Sequence, residues 1–275
     1  MTRLNTMDIS DISNRINIYD RELKKTLGYT LEEIAKKSVR AFYSDSIYKE
    51  YKVAVIPVTS GMGIINGFCE TVSDILKHIR ANVFVTEKTD VGGIQEAFEK
   101  NADIIFMSDD DTCAAFSLNG KVYSDNGYVT GVAFAAALEI MMEKEGEEVL
   151  ILGAGPVGIA AAQYFSQIGA IPVICDLQED KARDVASKIK NAKVEKSLKN
   201  LNKYTYILDA STSGDFIKEE DIKETTIISA PGIPLGAAKE IRDKVFIFHN
   251  PLEIGIMTMY FDCLNQLMEG KQNEY

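Results

Sequence analysis

Residues 148–158 read Glu-Val-Leu-Ile-Leu-Gly-Ala-Gly-Pro-Val-Gly. A short apolar run of this kind is the pattern of a buried parallel strand. It feeds directly into Gly153-Ala154-Gly155-Pro156-Val157-Gly158, and a helical pattern follows from Val157 through Phe165. Each glycine has its own task in such a strand–turn–helix unit. Gly153 permits the tight turn, Gly155 lets a pyrophosphate approach the backbone, and Gly158 lets the helix pack on the strand. The helix start then offers unpaired N–H groups and a positive dipole end to the phosphates.

A Gly-x-Gly-x-x-Gly string alone is a weak signal, and its surroundings decide the matter. A second apolar run, Ile171–Cys175, ends in Asp176, about 20 residues past the loop, where a carboxylate meets the adenosine ribose. A carboxylate there accepts from a 2′-hydroxyl and repels a 2′-phosphate. Leu177 and Gln178 follow it, with no arginine to hold a phosphate, so the cofactor expected is NAD rather than NADP. The expected cofactor contacts are Gly153, Gly155, Pro156, Val157 and Asp176, joined by Ser211 and Pro231 just past later strands.

The rest of the chain sets bounds. Its 275 residues suit two domains, and 46% hydrophobic content can fill two cores. A net charge of −11 argues against nucleic acid or an anionic membrane as partner and favours cationic ligands. No run reaches the roughly 18 apolar residues of a membrane span, and the first residues lack a signal sequence's apolar stretch. The expected location is cytoplasmic. Cys69, Cys113, Cys175 and Cys263 form no Cys-x-x-Cys pair, so neither a zinc site nor a disulfide framework is expected.

The organisation expected is α/β: an N-terminal helical and α/β substrate domain over 1–128, then a Rossmann dinucleotide-binding domain over 129–275. Residues 7–27 carry apolar side chains at helical spacing, with Gly28 as a stop. A second helix starts at Thr30 with Glu33 completing a capping box, and buries Leu31, Ile34, Val39 and Phe42. Strands at 53–58, 83–86 and 104–107, separated by helices over 66–79 and 92–100, predict a second parallel sheet. A helix over 131–142 leads into the nucleotide domain. Segments 206–212, 226–232 and 245–249 read as its remaining strands with their loops, and a closing helix over about 258–268 completes it.

Ligands in open α/β sheets sit beyond the carboxyl ends of the strands. Thr59-Ser60-Gly61 and Asp109-Asp110-Asp111 therefore fall at one edge of the first sheet, and a cleft between the two domains is the expected site. Asp110 and Asp111 read equally well as a solvated turn or a helix cap, whereas Asp109, the first acid past its strand, suits a bound ammonium. His78 reads as structural, within a helix. His249 follows a strand end and is a better candidate, though a lone histidine is a weak signal. No Ser-His-Asp or Cys-His set stands out, in keeping with chemistry carried by a cofactor.

Five segments together carry a resemblance: Val55–Ile65 (Val-Ile-Pro-Val-Thr-Ser-Gly-Met-Gly-Ile-Ile), Met107–Thr112, the nucleotide loop, Ser229–Pro234 and Pro251–Gly255. In this order, through nearly the whole chain, they resemble the pyrrolysine synthase (PylD) family. The chain departs from that family's pattern at Met62 and Asp111, where the family has Asn, at Asn250, where it has Glu, and at Glu253, where it has Gly. These departures touch polar details of the site.

The resemblance implies NAD-dependent oxidation of the terminal amine of 3-methyl-D-ornithyl-N6-L-lysine. An imine and then an aldehyde form, ammonia leaves, and the ornithine α-amine closes the pyrroline ring with loss of water. It implies Asp109 and Ser60 as catalytic residues, with Leu4, Thr59, Ser60 and Asp109 binding substrate. The N-terminal helix would serve as a lid that Leu4 brings onto the substrate. An ammonium has no lone pair with which to expel a hydride, so some base must first take its proton. A small-molecule substrate is the only partner implied, and a homodimer is left open. The competing expectations are an NAD-dependent dehydrogenase of another amine or amino acid, and a non-catalytic NAD-binding regulator.

Overall fold

The computed structural model describes residues 4–41, 46–117, 120–250 and 252–272, with the side chains of Tyr48 and of residues 270–272 excepted. It divides into two compact units, residues 4–129 with 252–272, and residues 130–250.

The first unit opens with helices α1 (Thr6–Ile9), α2 (Ile12–Leu27) and α3 (Leu31–Ser38). The single helix expected over 7–27 is broken at Ser10–Asp11. Asn5 caps the start of α1 through bonds from Met7 N and Asp8 N, and Asp8 reaches back to Asn5 N. Thr30 and Glu33 close the expected capping box on α3, which buries Leu31 and Ile34. Phe42 lies outside the described residues.

After the short α4 (Ile47–Glu50) come β1 (Lys52–Ile56), α5 (Phe68–His78), β2 (Asn82–Val85), α6 (Asp90–Glu99) and β3 (Ile104–Ser108). These alternate as the sequence predicts, and the three strands are parallel in the order β2-β1-β3. The sheet is nevertheless mixed. An antiparallel ribbon, β4 (Cys113–Ser117) and β5 (Val122–Asp125), adds to β3. Its residues, Cys-Ala-Ala-Phe-Ser and Val-Tyr-Ser-Asp, are too short and mixed to announce strands by periodicity. On one face Ala54, Ile56, Ala97 and Ile105 form a core with Phe84, Ile94, Met107 and Phe116 packed against it.

The boundary after 128 needs one correction. The last helix, α10 (Glu253–Gln272), belongs to the first unit, against α3, α5, β4 and β5. Ile254, Ile256, Met257, Met259, Tyr260 and Phe261 are all buried, so this helix is enclosed on more than one face. Gln266 Nε2 donates to Tyr123 O at 3.0 Å, and a Cβ on Gly120 would overlap Leu267. Chain continuity suggested that the helix closes the nucleotide domain, but helix–sheet packing is non-local and leaves no mark in sequence order.

The second unit begins within α7 (Asn126–Ile140), followed by β6 (Glu148–Leu152), α8 (Pro156–Gln167), β7 (Ile171–Cys175), α9 (Glu179–Lys188), β8 (Lys193–Val194), β9 (Tyr206–Asp209), β10 (Ile227–Ser229) and β11 (Phe246–Phe248). All six strands are parallel, in the order β8-β7-β6-β9-β10-β11. This is the doubly wound Rossmann order, whose direction reverses between β6 and β9. The two-residue β8 escapes the sequence pattern. Leu150, Leu152, Val173, Ile207 and Ile228 fill one face. On the other, alanine-rich α7 approaches α8 so closely that a Cβ on Gly131 would overlap Val157 O. Ser229 Oγ donates to Phe134 O at 2.8 Å and pins α7 to the sheet edge.

Candidate active site

The nucleotide loop is built as its glycines require. Gly153 has φ +105°, a region that L side chains avoid, and its Cβ would lie 2.8 Å from Ala210 O. A Cβ on Gly158 would overlap the carbonyl oxygen of Gly153. Protein atoms alone thus explain two of the three glycines. Gly155 is different: a Cβ there meets no atom of the protein within 4 Å. In a dinucleotide loop this is the position at which a pyrophosphate needs a bare backbone. Gly155 is also the N-cap of α8, with Pro156 next and no side-chain cap bond. Pro156 is exposed and Val157 half-buried, so the helix start is open to an anion. These residues fit a dinucleotide.

Asp176 lies just past β7 and is half-buried. Its Oδ2 accepts from Ala154 N and its Oδ1 from Gln178 N, each at 2.8 Å. The carboxylate therefore also ties the glycine loop to the β7 edge, and each oxygen keeps acceptor capacity for a ribose hydroxyl. Ser211 and Pro231 stand past β9 and β10, and Gly232 lies against Ser211, with no room for a Cβ beside Ser211 O.

Beneath those two loops is a residue that sequence reading passed over. Asp209, the last residue of β9, is fully buried. Its Oδ1 accepts from Ser211 N at 3.1 Å, Gly236 presses on Oδ2 with no space for a side chain, and Gly232 N donates to its backbone oxygen at 3.3 Å. Burial raises its carboxyl pKa to about 6. A strand-end acid was a visible signal, but nothing in the sequence shows which strand-end acids face inward.

In the first unit, the loops after β1 and β3 meet as expected, through an unexpected residue. Asp110 Oδ2 accepts from Met62 N at 2.6 Å and lies where a Cβ on Gly61 would be. Asp109, by contrast, closes a turn. Its Oδ1 accepts from Asp111 N at 2.9 Å and Thr112 N at 2.7 Å. The turn reading considered for Asp110 and Asp111 thus belongs to Asp109 as well, since an Asx side chain hydrogen-bonds the backbone just ahead of it. Asp109 remains exposed, and its Oδ2 has no hydrogen-bond partner among the described residues.

Thr59 is committed elsewhere. Its N–H and hydroxyl donate to the two carboxylate oxygens of Asp90 at 2.8 and 2.6 Å, and the hydroxyl bond, then the amide bond, holds the Asp90 pKa below the ordinary carboxylate value. Only acceptor capacity is left on its hydroxyl. Ser60 is exposed, with no side-chain bond among the described residues, and beside it Met62 and Ile64 are exposed apolar side chains. Leu4 is half-buried immediately ahead of the α1 cap.

His78 is structural as read: its Nε2 pairs with Asp20 Oδ2 at 3.0 Å. His249 Nδ1 lies 2.7 Å from Ala230 O, and burial lowers its pKa. Burial also pushes the Cys175 thiol up to about 11, which keeps it protonated and inert beside Asp176. Among the described residues, no helix is long and apolar enough to cross a membrane.

Two family models match the chain. Residues 8–124 match the N-terminal domain of the pyrrolysine biosynthesis protein PylD. Residues 136–239 match the C-terminal domain of alanine dehydrogenase/PNT. Among solved structures, a shikimate 5-dehydrogenase from Thermus thermophilus, in complex with NADP(H) and shikimate, shares the fold with a TM-score of 0.51 and 11% identity, over 82% of this chain and 100% of that one. The second unit is an NAD-binding domain. A pyrrolysine synthase from Methanosarcina barkeri is 29% identical over 96% of this chain and 98% of its own length. Another, from Methanosarcina acetivorans, is 30% identical over 96% of this chain and 100% of its own length. Matched from end to end at this identity, the chain belongs to the pyrrolysine synthase family.

Proposed function

We propose that this chain is an NAD-dependent amine oxidoreductase that converts 3-methyl-D-ornithyl-N6-L-lysine to L-pyrrolysine. The observation that carries the reading is the 30% identity to a pyrrolysine synthase across that relative's entire length. Local geometry is in keeping with it, because one unit offers a carboxylate and a free hydroxyl on neighbouring strand-end loops.

NAD, when bound, supplies the hydride acceptor. Gly153, Gly155, Pro156 and Val157 hold its pyrophosphate at the α8 N-terminus, Asp176 takes the adenosine ribose, and Ser211 and Pro231 line the loops towards the other half. Asp109 Oδ2 binds and orients the reacting ammonium, while Oδ1 keeps the turn rigid. The Ser60 hydroxyl hydrogen-bonds the substrate. Thr59 adds an acceptor and chiefly holds the loop. Leu4 and α1 exclude water, so that the aldehyde left by hydrolysis of the imine meets the α-amine. Ring closure is intramolecular and gains from containment alone.

The test combines the purified protein, NAD and the methylornithyl-lysine amide. NADH should appear together with a cyclised product of the mass of pyrrolysine. NADH without that product would mark a dehydrogenase of another amine, and NAD binding without any hydride transfer would mark a regulator. Asp109→Asn keeps the turn acceptor and removes the charge. It should lower kcat/KM roughly 100-fold, the worth of a charge-assisted hydrogen bond, with NAD affinity unchanged; an unchanged kcat/KM removes Asp109 from the site.

A further inference from the structure

Strands β1 and β3 are neighbours in the first sheet, with Ile56 opposite Met107, so the loops that follow them emerge side by side. Each loop has ties of its own. The turn after β3 closes on itself: Asp109 N donates to Thr112 O at 2.9 Å, and Asp109 Oδ1 takes the bonds from Asp111 N and Thr112 N. The loop after β1 is tied at its start, where Thr59 meets Asp90. Beyond Thr59 it folds back, with Gly63 N donating to Ser60 O at 3.1 Å.

The Asp110 side chain joins the two loops. Its Oδ2 accepts from Met62 N at 2.6 Å, across 48 residues of chain. A turn or cap carboxylate bonds backbone only two or three residues away, whereas this one reaches the loop of another strand. The approach dictates its neighbour. A Cβ on Gly61 would overlap Asp110 Oδ2, and Gly61 has φ +63°, a conformation that L side chains avoid. Asp110 is half-buried, while Ser60 and Asp109 are exposed. Ser60 thus stands between two carboxylate ties, Asp90 on the residue before it and Asp110 on the residue two after it. Its own hydroxyl has no bond among the described residues.

We infer that Asp110 is a positioning residue of the substrate site: by holding Met62 N–H it fixes the Ser60 hydroxyl beside the Asp109 turn. The inference rests on the proposed binding of the amine by Ser60 and Asp109. Neighbours in sequence, Asp109 and Asp110 then act in different ways. The exposed carboxylate acts through its charge on the ammonium, and the half-buried one through a hydrogen bond within the protein. Without that bond, Ser60-Gly61-Met62 would be ordered by the ligand, and the glycine makes this ordering costly. The cost would weaken binding, because only the surplus over ordering appears as affinity. The Asp109 turn is closed by its own bonds, so the influence of Asp110 passes through Ser60.

A double-mutant cycle tests this, because residues that act through one contact are not additive. Ser60→Ala and Asp110→Ala should each raise KM for the methylornithyl-lysine amide roughly fivefold, the worth of one hydrogen bond, with kcat within about twofold of wild type. The double variant should stay near that same value of roughly fivefold, whereas a product of roughly 25-fold would make the two residues independent and overturn the inference. Asp110→Asn keeps an oxygen acceptor for Met62 N and removes the charge, so KM should return to within about twofold of wild type. A KM as high as that of Asp110→Ala would make the charge itself the contribution, which also overturns the inference. Amide NMR of the full-length protein adds a readout that needs no turnover. With NADH in place of NAD, the amine should shift the Ser60 and Met62 amide resonances of the wild type, and shift that of Ser60 less in Asp110→Ala at the same concentration. A Ser60 amide unmoved in the wild type, or moved equally in both proteins, counts against the positioning role and removes it. If the wild type shows these shifts yet forms no product, the amine-oxidation reading fails and the role of Asp110 in binding the amine stands.

Discussion

The loop after β6 and the loops after β1 and β3 all stand at the ends of parallel strands, yet they are specified differently. The nucleotide loop is specified by what is missing. Gly153 and Gly158 lack side chains because Ala210 O and Gly153 O occupy the space, and Gly155 lacks one although the protein leaves room. The loops of the first unit are specified by what is present: Thr59 on Asp90, Asp110 on Met62 N, and Asp109 on its own turn. Backbone constraints of the first kind recur in glycine-rich loops that meet a phosphate at a helix N-terminus. Side-chain ties of the second kind are particular to one substrate and one loop pair.

The sharpest way to break this contrast is to add one methyl group at two glycines. Gly158→Ala drives a Cβ into Gly153 O and should cost about 3 kcal/mol of stability, at the upper end for overpacking, losing NAD binding with it. Gly155→Ala meets no protein atom and should change stability by less than about 1 kcal/mol, while weakening NAD roughly tenfold or more, the effect of a Cβ against a pyrophosphate. Denaturant titration alongside NAD titration separates the two. If Gly155→Ala binds NAD normally, the open side of that glycine does not face the cofactor.

This asymmetry also explains how much was legible beforehand. The Rossmann unit could be read from the spacing of Gly153, Gly155, Gly158 and Asp176, because those requirements are local in sequence. The three parallel strands of the first unit could be read from their alternation with helices. The β4–β5 ribbon and the placement of α10 could not, since both depend on partners far along the chain. The assignment of Ser60 and Asp109 to the site rests on the strand-end rule and the resemblance. Which carboxylate closes the turn, and which ties the loops together, depends on side-chain directions that residue type does not encode. Asp209 was missed for the same reason: a carboxylate at a strand end is ordinarily solvated, whereas this one is fully buried with Gly236 against it.

Asp209 sharpens the comparison on the nucleotide side, where it is a side-chain tie beneath a backbone-defined site. Its folded pKa of about 6 lies above the ordinary value near 3.9. Between those two values the folded state holds the proton more tightly than the unfolded state does. Its contribution to stability is therefore complete below about pH 4 and is lost as pH rises through about 6. The loss should be of the order of 2–3 kcal/mol. Asp209→Asn has no proton to release, so its stability relative to wild type should rise by that amount between pH 4 and pH 7 in denaturant titrations. Parallel pH profiles for the two proteins would mean that the hydrogen bonds from Ser211 and Gly236 offset the burial of the carboxylate.

The smallest effect concerns Thr59, where the two kinds of specification compete for one hydroxyl. Its donor goes to Asp90, which itself sits at φ +52° at the start of α6. The bond therefore holds the turn between β2 and α6 against the loop after β1. Thr59→Val preserves shape and the amide bond while deleting the hydroxyl, and should lower Tm by roughly 2 °C. If the hydroxyl serves the fold alone, KM for the amine stays at the wild-type value. If its remaining acceptor capacity meets the substrate's ammonium, KM rises while Tm falls. Ser60→Ala is the control, because Ser60 has no side-chain bond among the described residues to lose. It should leave Tm unchanged and raise KM. A Thr59→Val enzyme with raised KM and unchanged Tm would reverse the two roles and make Thr59 the substrate's contact.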